Sequence, residues 1–465
     1  MTSQLQILWT SAEIEAATGG VASAPFTVTG VTFDSREVDP GDLFVAMPGT
    51  VADGHQFVSK AFAAGAAGAI VSHLVDGPHT LVPDVAAALS ALASAARART
   101  SAKIFGVTGS VGKTSTKEAL AAALERNCRG RVHRSVKSYN NHTGVPLSLA
   151  RMPVDSEYAV LEMGMNNAGE IAALTRLVRP HVAIVTTIAA AHIENLGSME
   201  AIAAAKAEIF QGLEPDGVAI VPEDTPHRDA LVKAARRFAG EIITFGGPDA
   251  DVAALHAVRA DNGGSLITAR LMQSELTYTN SQRGDHWVTN SLAVLAGVEA
   301  VGADLAAAGL ALADMGGLKG RGERHRIKLD GGTALLIDES YNANAASMAA
   351  TLKSLGEEGG VRRRIAVLGP MRELGEHSDQ LHAALAPSVI DAKVDRLILI
   401  GDEMRPLEIA LAGAIPIDRA TDASEATDLL TALIAPGDVV LVKASNSVGL
   451  AALVERVAGG QSCFT

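Results

Sequence analysis

From about residue 100 onward, short unbroken apolar runs alternate with longer segments in which apolar side chains recur every three or four positions. The runs Ile104–Val107, Tyr158–Met163, Val182–Ile188, Val218–Val221 and Ile242–Phe245 predict buried strands. Between them Lys117–Leu124, Gly169–Val178, Met199–Leu213 and Pro226–Ala239 predict helices. Polar, weakly periodic sequence with strand-like fragments follows to Arg283, then two helical patterns, Trp287–Val301 and Leu305–Leu312. The last third alternates again. Strands are predicted at Ala334–Asp338, Ile365–Leu368, Arg396–Ile400 and Val439–Val442, with helices at Ala345–Leu355, His377–Ile390, Ala423–Ile434 and Ser447–Val457. Such alternation is the mark of mostly parallel sheets covered by helices.

The first hundred residues carry the same pattern on a smaller scale. Val28–Phe33, Asp42–Ala46 and Ala69–Val71 predict strands, and His55–Ala64 and Val85–Ala98 predict helices. With the Gly/Arg-rich segment Gly316–Gly322 as a second linker, the reading is an α/β protein of three domains. These are a small N-terminal α/β domain (1–98), a central P-loop mononucleotide-binding domain with a mostly parallel sheet (99–320) and a Rossmann-like C-terminal α/β domain (321–465). No short repeat or low-complexity array is present.

Composition narrows the function classes. The 465 residues include 39 Lys and Arg against 52 Asp and Glu, a net charge of −13, which argues against a broad nucleic-acid surface. An anionic substrate must then be held by local cations and backbone amides. Cys128 and Cys463, far apart, give no disulfide framework or zinc site. Met1–Thr10 lacks a basic flank and apolar core, and no run of about 20 apolar residues marks a membrane span. A cytoplasmic protein is expected.

Chemistry enters at Gly106-Val107-Thr108-Gly109-Ser110-Val111-Gly112-Lys113-Thr114-Ser115. A strand, a glycine-rich turn and a helix opening at Gly-Lys-Thr form a phosphate cradle. Backbone N–H groups face the anion, Lys113 reaches the outer phosphates and the Thr114 hydroxyl is placed for Mg²⁺. The usual spacing calls for glycine at Val107, and Gly106 and Gly109 stand beside that place instead. Glu162 ends the next strand, where it is either a metal ligand or a solvated strand-end acid. His192 follows another strand and is open to a metal, phosphate or structural role. Lys206 shares the apolar stripe Ile202, Ile209, Leu213, so it either snorkels to an edge or has a partner or chemical task. Asp338-Glu339-Ser340-Tyr341-Asn342-Ala343-Asn344 crowds a strand-to-helix junction, although Asn344 alone fits a helix cap. Lys443-Ala444-Ser445-Asn446-Ser447 repeats that arrangement after the final strand.

Together these residues resemble the ATP-dependent Mur ligases of peptidoglycan synthesis. The resemblance runs through Asp34-Ser35-Arg36, Gly41–Ala46 and Asp53-Gly54-His55, then Thr108–Thr114, Asn140-Asn141, Glu162–Asn166 and His192 through Lys206 to Phe210. It continues in Asp338 with Ser340–Asn344, Glu373-Leu374-Gly375 and Leu441-Val442-Lys443. The serine-tyrosine-asparagine cluster and the first-domain pattern match the branch that joins D-alanyl-D-alanine to a UDP-linked muramoyl tripeptide. The resemblance implies that ATP phosphorylates the tripeptide's terminal carboxylate and that the dipeptide amine attacks the acyl phosphate. Lys113, Glu162, His192 and Lys206 are the implied catalytic residues, with Thr114, Glu162, His192 and a carbamylated Lys206 holding Mg²⁺. Gly109, Ser110, Gly112, Lys113, Thr114, Ser115, Asn290, Asp338 and Arg321 (or Arg324) are implied nucleotide contacts. Ser35, Arg36, Phe44 and Ala46 would surround the uridine diphosphate end, with Asn140, Asn141, Tyr341, Asn342 and Ser445 as further substrate contacts. Lys137-Ser138, Pro370 and Ala444-Ser445-Asn446 depart from the family pattern. A monomer without nucleic-acid partners is expected.

Other readings weighed on the same residues are a sibling ligase or a folylpolyglutamate synthase-like enzyme, a P-loop phosphotransferase and a non-catalytic nucleotide-binding regulator. The first-domain match speaks against the folate branch. A phosphotransferase leaves the three domains and the apolar-face Lys206 unexplained, and a regulator has no need of Lys113, Thr114, Glu162 and His192 together.

Overall fold

In the computed structural model, residues 6–49, 52–260 and 263–459 are described; Cys463 and the first residues of Met1–Thr10 lie outside them. Three sheets of five, nine and six strands carry the chain, in sequence order. In the first, Gly30–Thr32, Asp42–Val45, Gly68–Val71 and His79–Leu81 run parallel and Val21–Ala22 closes the edge antiparallel. A short pair, Trp9–Thr10 with Thr27–Val28, stands beside it. The helix Val85–Arg99 leads out, N-capped by Asp84, whose carboxylate accepts from the N–H groups of Ala86 and Ala87.

The nine-stranded sheet is parallel from Val132–Arg134 through Tyr158–Glu162, Lys103–Thr108, Val182–Val185 and Val218–Pro222 to Glu241–Gly246. Lys103–Thr108 is third from one edge, inside the parallel run. The next two strands in order along the chain pair on one side of it, and Val182–Val185 begins the other side. Chain direction across the sheet therefore switches at this strand, the place where open parallel sheets bind ligands. Val252–Arg259, Ser265–Arg270 and Glu275–Asn280 extend the sheet as an antiparallel meander. Apolar cores fill both faces: Phe105, Val107, Leu120 and Leu295 on one, Ile104, Leu161, Ile202 and Phe210 on the other.

The third sheet orders Glu323–Leu329, Gly332–Glu339, Asp438–Lys443, Arg363–Leu368, Arg396–Ile400 and Ile417–Ala420, all parallel except the first. Gly332–Glu339 is thus the second strand of this unit. Several predicted elements differ in extent; Val28–Phe33, for one, breaks into Thr27–Val28 and Gly30–Thr32, which belong to different sheets. Val182–Ile188 leaves the sheet after Val185, because the Thr186 hydroxyl donates to the carbonyls of Thr108 (3.2 Å) and Val111 (2.5 Å). Met199–Leu213 is an α-helix only to Ala207 and tightens to a 3₁₀ turn over Glu208–Gly212. There Thr175 donates to the Ile209 carbonyl at 2.7 Å, and a Cβ on Gly212 would lie 2.1 Å from the Thr175 carbonyl oxygen. His377–Ile390 divides into Ser378–Ala383 and Ala386–Asp391, with Pro387 in the first turn of the second helix.

Candidate active site

Gly109 and Gly112 fix the shape of the phosphate-binding turn. Gly109 has φ +148, and a Cβ there would meet Thr186 Oγ1 at 2.0 Å. Gly112, with φ +85, caps the helix Lys113–Cys128, and a Cβ there would press on Asn290 Oδ1 at 3.0 Å. Both positions therefore demand glycine. The Ser110 N–H donates to the Thr187 carbonyl at 2.7 Å and Lys113 Nζ donates to the Gly109 carbonyl at 2.7 Å. Burial pushes the Lys113 ammonium below the usual lysine range; Glu162 opposes the shift and Arg321 adds to it.

A cavity of about 380 Å³ opens on this turn. Ser110, Gly112, Lys113, Thr114, Ser115 and Asn290 line it from the central unit, and Arg321 and Asn342 from the C-terminal unit. Arg321 stands 4.1 Å over the Tyr341 ring, whereas Arg324 forms a two-point ion pair with Glu358 at 2.8–2.9 Å. The two arginines left open by the sequence are thus separated in place: Arg321 at the cavity, Arg324 at Glu358. His286, Trp287 and Lys443 also line the cavity and were not assigned from sequence. His286 lies four residues before Asn290 on one helix, a spacing that puts both on one face and is readable in the sequence. Lys443 Nζ donates to the Asn342 carbonyl at 3.0 Å and to Glu339 at 3.3 Å.

Glu162 is buried at the end of its strand and held on both oxygens. Thr114 Oγ1 donates to one and Asn140 Nδ2 to the other, each at 2.7 Å. Lys206 is fully buried, and its Nζ has no hydrogen-bond partner. Burial drives its ammonium far below the lysine range, and the neighbouring Lys113 cation pushes the same way against Glu162 and Glu208. Lys206, Lys113 and Glu162 thus form one electrostatic neighbourhood.

Other expected site residues fall elsewhere. His192, with φ +60, points its Nδ1 at Glu373 of the C-terminal unit. The Asp338 carboxylate accepts from the N–H groups of Gly320 and Ser340, both at 3.0 Å, bracing the segment that carries Arg321. Phe44 and Ala46 are wholly buried in the N-terminal unit's core. Arg36 is exposed and paired with Asp34, whose carboxyl it draws down to about 2; Ser35, between them, is buried. Asn141 accepts from the N–H groups of Thr143 and Gly144 at the start of a helix. Ser445 Oγ accepts from the Arg372 N–H at 2.9 Å, and Tyr341 OH hydrogen-bonds Ser138 Oγ.

Family models match along the chain: "Mur ligase family, catalytic domain" over residues 27–99, "Mur ligase middle domain" over 107–298 and "Mur ligase, glutamate ligase domain" over 320–446. The chain is 34% identical over 444 residues to a UDP-N-acetylmuramoyl-tripeptide–D-alanyl-D-alanine ligase of Synechocystis sp., covering 94% of this chain and 93% of the relative. It belongs to the Mur ligase family. Solved structures agree with the membership. A crystal structure of MurF from Acinetobacter baumannii matches this Mur ligase with TM-score 0.83 and 29% identity, over 98% of this chain and 100% of that one. MurF ligase from Thermotoga maritima in complex with ADP matches with TM-score 0.76 and 27% identity, over 92% and 97%. Among the described residues of this Mur ligase, no helix is long and apolar enough to cross a membrane.

Proposed function

We propose that this Mur ligase joins D-alanyl-D-alanine to UDP-N-acetylmuramoyl-tripeptide at the expense of ATP, releasing ADP and phosphate. Near-full-length identity to ligases of that name carries the reading, and the site chemistry accords with it. A carboxylate is a poor electrophile until one of its oxygens becomes part of a leaving group. Phosphorylation of the tripeptide carboxylate supplies that group. Attack by the dipeptide amine then forms the C–N bond and expels phosphate, which carries away the carboxylate oxygen.

Each chain residue has a physical task in this reading. The Gly109–Ser115 turn cradles the ATP phosphates with N–H groups and the helix N-terminus. Lys113 offsets the charge that builds as the γ-phosphoryl group meets the carboxylate. Ser110, Gly112, Ser115, Asn290 and Arg321 surround the nucleotide. The Thr114 hydroxyl and the Glu162 carboxylate converge at 2.7 Å and are the oxygen donors that hard cations take, so they fit Mg²⁺. Bound there, Mg²⁺ supplies neutralisation of the phosphate charge.

Lys206 is the second half of that fit. A buried lysine whose Nζ has no hydrogen-bond partner and whose charged form is disfavoured by burial is suited to react as the neutral amine. Such an amine adds to carbon dioxide: the N–C bond forms, one proton leaves the nitrogen, and a carbamate anion stands in place of the neutral amine. His192 belongs to the same proposed metal set by position in the sequence, and Glu373 competes for its Nδ1 in this arrangement. Ser35, Arg36, Asn140, Asn141, Tyr341, Asn342 and Ser445 are proposed around the UDP-tripeptide and the dipeptide. Phe44 and Ala46 expose no surface to a ligand and support that region from the core. The domain limits 98/99 and 320/321, a monomeric state and a cytoplasmic location complete the proposal.

Phosphate release from ATP with UDP-N-acetylmuramoyl-tripeptide, measured with and without D-alanyl-D-alanine, tests it. The expected result is dipeptide-dependent release matched by pentapeptide product. Release without any amide product would overturn it.

A further inference from the structure

Lys117 lies one turn into the P-loop helix and is completely buried, yet it does not line the nucleotide cavity and its polar partners do not include Glu162. An ammonium has three donors and none to leave unsatisfied in a core. Here two of them meet the carbonyl oxygens of Ser135 (3.2 Å) and Lys137, and Glu118 Oε1 pairs with the ammonium at 2.9 Å. The segment so held, residues 135–140, has Lys137 in a left-handed conformation at φ +49, which a non-glycine residue keeps only when its surroundings impose it.

That segment touches all three units. Ser135 Oγ accepts the Glu162 N–H at 2.9 Å and Asn140 donates to the Glu162 carboxylate. Lys137 Nζ is paired with Glu37 of the N-terminal unit. Ser138 Oγ is hydrogen-bonded to Tyr341 of the C-terminal unit. Adjacent side chains therefore reach the acid proposed for Mg²⁺, the domain proposed for the UDP end and the C-terminal unit that lines the nucleotide cavity.

We propose that Lys117 is a positioning residue: it holds residues 135–140 in the one form that orients Glu162 while docking Glu37 and Tyr341, and so couples nucleotide and UDP-substrate binding. The proposal rests on the ligase reading for the identity of the ligands. It differs from simple core filling, because an apolar side chain of equal length would fill the space and leave the Ser135 and Lys137 carbonyls unanchored.

The test compares Lys117→Met with the double variant Lys137→Ala/Ser138→Ala, and with all three changes together, in the full chain. Calorimetry reads the affinity for UDP-N-acetylmuramoyl-tripeptide, for ADP without Mg²⁺ and for ADP with Mg²⁺. Lys117→Met is expected to weaken the UDP-tripeptide and to reduce the enhancement by Mg²⁺, each about tenfold, leaving Mg²⁺-free ADP binding within about twofold. The double variant is expected to weaken only the UDP-tripeptide, and the triple variant to add nothing to that loss, since both routes act through one segment. Independent, multiplying losses in the triple variant would overturn the proposal, as would Lys117→Met with unchanged affinities and only a lower melting temperature. Should Lys117→Met not fold, the double variant decides: undiminished UDP-tripeptide binding there would overturn the coupling. These are binding ratios, so a wild-type protein that binds both ligands but forms no amide would sink the ligase reading and leave this one standing.

Discussion

Thr114 Oγ1 donates to Glu162 Oε2 at 2.7 Å, which joins the first turn of the P-loop helix to the end of the neighbouring strand. Strand register explains the meeting. Glu162 pairs with Val107, so its side chain emerges level with the start of the phosphate-binding turn. Asn140 takes the second carboxylate oxygen, leaving Glu162 oriented before any ligand arrives.

Glu162→Gln keeps the shape and removes the charge. Its kcat is expected to fall by about a hundredfold or more, because the carboxylate proposed to hold the charge-neutralising Mg²⁺ is lost. Binding of ADP without Mg²⁺ should stay within about twofold. Steady-state kinetics beside calorimetry checks both, and equal losses in the two would remove Glu162 from metal holding.

Lys206→Ala is expected to lose activity by about a hundredfold or more, and bicarbonate should not restore it, since the amine that would carry the carbamate is gone. Short carboxylic acids, added at increasing concentration, are expected to rescue part of the rate by standing in for that carboxylate. Activity assays over an acetate and formate series give the answer. Wild-type-like turnover of the alanine variant would exclude Lys206 from the chemistry.

His133 sets an acid-side stability slope. Burial holds its imidazole down at about 4, while its Nε2–H donates to the Ser148 carbonyl at 2.6 Å. In the unfolded chain histidine titrates near about 6.5, so the unfolded state takes the proton first. The contribution is therefore complete above about pH 6.5 and is lost as pH falls toward about 4. Urea unfolding at about pH 7 and about pH 5 should show that loss, and His133→Gln should flatten the difference. An unaltered slope in the variant would contradict the assignment.

Glu358 clamps the junction of the central and C-terminal units. Its buried carboxylate takes a two-point pair from Arg324 at 2.8–2.9 Å, and both its oxygens accept from Arg283 Nη1 at 2.9 Å. Removing a buried acid between two cations leaves repulsion in its place, so Glu358→Ala is expected to destabilise the protein by about 3 kcal/mol. Denaturant unfolding measures it, and a change well under about 1 kcal/mol would show the pair to be solvent-screened.

The central sheet and its phosphate-binding turn were readable because their signals are local: apolar runs, helical spacing and glycines within a few residues of Lys113. The antiparallel meander was legible only as fragments, since Val252–Arg259 is mostly exposed beyond its first residues and gives no apolar run. Glu323–Leu329 was missed because an edge strand tolerates its charges. Side-chain direction was not legible either. Phe44 sits in an apolar core and Asp338 on backbone N–H groups, and neither fact follows from strand-end position. Contacts across the units, such as Ser138 with Tyr341 or His192 with Glu373, join residues about two hundred positions apart and exist only through the fold.

The central claim is that ATP activates a carboxylate as an acyl phosphate. UDP-N-acetylmuramoyl-tripeptide carrying heavy oxygen in its terminal carboxylate tests it most directly, with the released inorganic phosphate read by mass spectrometry. One heavy oxygen per phosphate, released in step with pentapeptide, is the result predicted. Pentapeptide formed alongside unlabelled phosphate would contradict it.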